Sequence, residues 1–200
     1  MGKHRHMDLE SVKKHYQNLD RGKIESLATT EAKSLRPEVI PVLIGEIQRR
    51  NMPDSVILAL QRQLKEPTPD KLAEYCTLLQ SQPCPKCGTR SAKLNANMTS
   101  EVFSIVFITR STKKLGIACP DCLDSFKKNA NAKSGMLGWW AFPWGPIKTI
   151  QSFLFNAKMN KENHLGIPNR IFQGFVYQNI GAIEAAKNSP DKLQHIITVQ

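Results

Sequence analysis

Cys84-Pro85-Lys86-Cys87-Gly88 and Cys119-Pro120-Asp121-Cys122 are the stretches of this chain whose residue types and spacing best suit chemistry. Each pair leaves two residues between its cysteines, so one tight turn can aim both sulfurs at a single point. Between the pairs, from Cys87 to Cys119, lie 31 residues. Four thiolates are the donor set of a tetrahedral structural zinc site. A proline inside each pair fixes a backbone angle, and Gly88 permits the positive φ that such a knuckle needs. Two disulfides or four unrelated buried thiols are the alternatives. A chain with five cysteines and no visible secretory signal favours a reducing, cytoplasmic setting and metal over disulfides. The expectation is one zinc ion held by Cys84, Cys87, Cys119 and Cys122. Four protein ligands leave no open position for a reacting water. No nucleophile–base pair, phosphate loop or paired-carboxylate signature stands out either. The expected role is therefore not enzymatic.

The elements that must position these cysteines follow from periodicity. Residues 8–82 read as helices: one from Asp8 to Asn18, then Ile24, Leu27, Ala28, Ala32 and Leu35 on one apolar face. Pro37 opens a helix with Val39, Leu43 and Ile47, and Pro53-Asp54 another with Val56, Ile57, Leu60 and Leu64. Past Pro67 and Pro69 comes a helix with Leu72, Cys76 and Leu79. Cys76 sits on that apolar stripe and reads as a buried structural thiol rather than a fifth ligand. Residues 93–109 look extended, with Val102, Phe103, Ile105, Val106, Phe107 and Ile108 as strand formers, turns at 95–100 and 111–114, and a short strand at 115–118. After Cys122 the chain looks helical. Knuckle, hairpin and a second ligand pair at a helix start is the order of a treble clef; a zinc ribbon would continue as a strand. Ile147 to Lys158 and two stretches after Pro168 and Pro190 read as further helices. His15, His164 and His195 have no paired ligand nearby in sequence.

Charge and aromatic content point to surfaces. The net charge is +11. Residues 7–82 carry 11 basic and 11 acidic groups, whereas residues 83–164 carry 12 and four. Such a local excess suits an anionic partner, nucleic acid or acidic lipid, or else simply solvates the surface. Lys113, Lys114, Lys127 and Lys128 are the candidate contacts. All three tryptophans, Trp139, Trp140 and Trp144, fall within GMLGWWAFPWGPI, a stretch bearing no charge. They fit a membrane interface, a stacking platform for unpaired bases or a protein hot spot. The favoured reading is a wedge that packs the metal module onto the helices, because a small metal module has little core of its own. No run of about 20 apolar residues reads as a transmembrane helix.

The block CPKCG, CPDC and GWWAFPWGPIKTI resembles a group of mostly bacterial, uncharacterised zinc-ribbon-type proteins that combine paired knuckles with a GWW-x-x-PWG segment. The helical stretch SLRPEVIPVLIGEIQRR is also similar, and the likeness spans residues 20–160. It implies the four cysteines as ligands and a joint role for the three tryptophans, and no specific activity. The expected fold is α+β, mostly helical. Residues 1–6 read as a cloning remnant, 7–82 as a helical block, 83–134 as the zinc module, and 135–200 as the tryptophan segment with helices packed on it. The expected function is a non-enzymatic zinc-binding adaptor with a protein partner. A nucleic-acid-binding protein using the basic module and a peripheral membrane protein using the tryptophans are the alternatives.

Overall fold

A computed structural model describes residues 8–105 and 108–198. The expected remnant at 1–6, and Val106 and Phe107 of the expected strand, lie outside the described residues. The fold is α+β and mostly helical, with one two-stranded antiparallel sheet and a four-cysteine cluster. The chain forms two compact units, each built from two segments. The first comprises Met1–Leu72 and Val176–Ser189, the second Ala73–Phe175 and Pro190–Gln200.

The first unit is helical: α1 (Leu9–Asn18), α2 (Arg21–Thr29), α3 (Ile40–Arg49), α4 (Asp54–Leu64) and, from the later segment, α9 (Ile180–Ala186). Asp8 and Asp20 cap α1 and α2 by accepting the N–H of Glu10 and of Lys23. The apolar face expected across residues 24–35 is real, but the helix is not continuous. It stops at Thr29, and Ala32–Ser34 forms a separate 3-10 turn. There the Thr30 hydroxyl donates to the Ser26 carbonyl at 2.9 Å and Ser26 Oγ donates to Glu31 at 2.8 Å, side-chain bonds that compete with the helical ladder. Ile24, Leu27, Ala28, Ala32, Leu43, Ile47 and Leu60 still bury into one cluster.

The second unit carries the cysteines. Its strands β1 (Asn95–Ile105) and β2 (Ile108–Ala118) pair from Asn95 opposite Ala118 to Ile105 opposite Ile108. The turns expected at 95–100 and 111–114 are absent; both stretches are strand. Side-chain bonds along one edge account for β1. Its outward-facing backbone groups do not meet water but polar side chains of α6 (Pro120–Leu137) and α7 (Trp144–Met159). Val102 N–H donates to Ser134 Oγ at 3.0 Å, and Ser100 N–H to Asn156 Oδ1 at 2.7 Å. The Ser100 carbonyl accepts from Ser152 Oγ and Asn156 Nδ2. Further along, Asn169 Nδ2 donates to the Ala96 carbonyl at 2.6 Å. An edge that would otherwise invite another strand is thus covered, and buried Ser134, Ser152 and Asn156 are satisfied. The unit is completed by most of α5 (Pro69–Gln80), by α8 (Arg170–Gln178) up to Phe175, and by α10 (Pro190–Thr198). The single apolar run expected from Ile171 to Ile183 is split at Asn179 into α8 and α9.

Candidate metal centre

The hairpin brings the cysteines together. Cys119 directly follows the last residue of β2, so both knuckles lie at the hairpin's base. In the first knuckle Cys84 N–H donates to the Thr89 carbonyl at 2.9 Å and Gly88 N–H to the Cys84 carbonyl at 2.8 Å. Gly88 has φ +74°, the left-handed value expected of it. In the second, Cys119 is the N-cap of α6 and Pro120 its first residue, which places Cys122 in the first helical turn.

The four Sγ atoms all lie within 4.8 Å of one another, with Cys87 and Cys119 Sγ 3.7 Å apart. Ligands at a metal–sulfur distance of about 2.3 Å in a tetrahedron stand roughly 3.8 Å apart, so the cluster has the dimensions of a metal site. The charge balance fits as well. Burial works against ionising Cys84, but the N–H groups of Cys119, Cys87 and Lys86 outweigh it and bring the thiol down to about 7. Burial and the neighbouring sulfurs push Cys119 and Cys122 up. A dication among the sulfurs would supply the positive charge that favours thiolates over thiols. Cys84 and Cys119 are buried while Cys87 is exposed. Cys76 is buried apart from the cluster, and burial raises its thiol to about 11, as expected of a structural cysteine.

The expected lysines do not gather. Strand alternation puts Lys113 and Lys114 on opposite faces of the ribbon. Lys113 stacks on the Phe155 ring, and Lys114 pairs with Glu101 at 2.9 Å. Lys128 is exposed on α6 and Lys127 half-buried. The four cations do not form one stripe. The tryptophans are not a buried wedge: Trp139, Trp140 and Trp144 are 47%, 72% and 63% exposed. Two glycines explain why. A Cβ on Gly145 would collide with the Gly138 carbonyl, and one on Gly138 with Thr149 Oγ1 and the Ser134 carbonyl. Backbone fills the junction of α6 and α7, and only Ala141 among the side chains of 139–144 is buried there, so the large rings are turned outward.

His164 Nε2 lies 3.1 Å from Asp124 Oδ2, and Asn160 donates to Oδ1 at 2.7 Å, a polar tie between α6 and the turn after α7. His15 and His195 are exposed. No helix among the described residues is long and apolar enough to cross a membrane. No family model, curated protein or solved structure matches the chain.

Proposed function

We propose that this chain is a non-enzymatic interaction protein whose four cysteines hold a structural zinc ion. The observation that carries the reading is the closed four-sulfur cluster, since four thiolates complete a tetrahedral shell and leave no place for a substrate. Zinc is favoured because soft all-thiolate sites with no second cluster suit it in a reducing, cytoplasmic setting. Bound zinc would fix the base of the hairpin to the start of α6. A knuckle, a hairpin and a ligand pair at a helix start together support the treble-clef over the ribbon reading.

Elemental analysis of the purified protein tests this, with one zinc per chain expected. Cobalt substituted for zinc should show the visible bands of tetrahedral thiolate coordination, and Cys122→Ser should weaken them. One iron per chain would overturn the choice of metal, and no metal at all would overturn the structural role.

A further inference from the structure

Helix α7 is inside out. Its buried positions are Gly145, Thr149, Ser152 and Asn156, all small or polar, and Ser152 and Asn156 bond the edge of β1. Its apolar residues Ile147, Ile150 and Leu154, spaced by three and four, are 43%, 51% and 68% exposed. An ordinary surface helix turns its apolar stripe to the core. Here the stripe continues into the α6–α7 junction, where Trp140, Phe142 and Trp144 stand out and Phe142 is 88% exposed. Ser104 Oγ, near the end of β1, donates to the Gly138 carbonyl at 3.0 Å, so the ribbon face that carries Ser104 and Thr109 backs onto the junction. Ile105 and Ile108, 56% and 73% exposed, alternate onto the other face of the ribbon and stand apart from the stripe.

The charges around this surface have one sign. The sequence holds no carboxylate between Asp124 and Glu162, a stretch that spans most of α6, the junction and all of α7, while Lys148 and Lys158 lie exposed on α7. Glu101, beside α6, is itself bridged by Lys114 and Lys133. A second copy of the chain would bring cations against cations. Unpaired bases would use the rings but leave Ile147, Ile150 and Leu154 without stacking partners. Protruding aliphatics, interfacial tryptophans and a cationic border match an anionic bilayer.

We propose that α7 and the Trp139–Trp144 junction form a surface that docks in the plane of an anionic lipid membrane, the partner of the zinc-held scaffold described above. The aliphatic side chains and rings enter the headgroup boundary, and Lys148 and Lys158 face lipid phosphates and carboxylates.

Because all three tryptophans lie on this surface, intrinsic fluorescence reads it directly. The zinc-loaded protein is titrated with phosphatidylcholine vesicles with and without phosphatidylserine. A blue shift and co-sedimentation are expected with the anionic vesicles, and far weaker binding without phosphatidylserine or at high salt. Ile150→Ser with Leu154→Ser should weaken binding at least tenfold, and Lys148→Gln with Lys158→Gln about 30-fold. These side chains are exposed, so folding should persist; Leu64→Ser, exposed in the first unit, should bind as the parent does. No shift with anionic vesicles, binding independent of phosphatidylserine, or full binding by both double variants overturns the proposal. So does a self-associated or oligonucleotide-bound form that the apolar variant abolishes while lipid has no effect. Zinc measured in the same sample separates the two readings: zinc without vesicle binding defeats the docking surface alone, and vesicle binding without zinc defeats the metal reading alone.

Discussion

Cys84 and Glu46 show how much one side chain can carry in this fold. Cys84 is buried and gathers backbone N–H groups around its sulfur. Replacing it by serine removes the thiolate ligand and puts a neutral hydroxyl in place of the sulfur that accepts the Cys119 N–H. Cys84→Ser should lower metal affinity by more than about 100-fold, measured by competition with a chromophoric chelator. Glu46 is buried in the first unit between Arg49 and Arg50, and Arg50 also donates to the Tyr16 and Gln17 carbonyls at the end of α1. The Arg49 bond, opposed by burial and helped by Arg50, lowers its carboxyl to about 2. A depressed acid contributes stability that is fully present above its unfolded value and is lost as pH falls through the folded one. Between pH 4.5 and 2 the Glu46 pairs should therefore lose about 1–2 kcal/mol, discounted because Arg49 is half exposed. Urea midpoints of parent and Glu46→Gln should differ at pH 6 and converge near pH 2. The cysteine ligands were legible in the sequence because Cys-x-x-Cys spacing is itself geometry. Glu46 was not, because nothing in a helical i, i+3 pair of opposite charges says that one partner is buried.

At the scale of elements, the helices α1, α4, α5 and α6 could be read from caps, prolines and apolar spacing. The hairpin could be read only in part. Ser100, Ser111, Lys113 and Lys114 have the composition of turns, yet they lie in strand. The reason is lateral: β1 is held by side chains over 30 residues away, which no local pattern encodes. Asn156→Ala should strand the Ser100 N–H in a buried site and cost about 1–3 kcal/mol in chemical unfolding. Gly145→Ala should cost about as much through its collision with the Gly138 carbonyl, and should shift tryptophan emission by moving the junction. The same lateral bonds explain why α7 defeats periodicity. Its 3.6-residue pattern is genuine, but the polar face is the buried one. Tryptophans set beside prolines and glycines were expected to pack inward, and the small residues at the junction turned them outward instead.

At the scale of the whole molecule, the four cysteines and the tryptophan junction lie apart along one hairpin. The cysteines sit at its base, and Ser104, which meets the junction, lies about 30 Å along the strand from Asn95. A bound metal would fasten β2 to α6, and the surface proposed for docking lies elsewhere. Amide hydrogen exchange of the zinc-loaded protein, before and after chelation, tests that claim most directly. The account predicts that chelation strips protection from the base of β1 and β2 and from the first turns of α6, while α2, α3 and α4 keep theirs. Unchanged exchange in the hairpin and in α6 after the metal has left would contradict it.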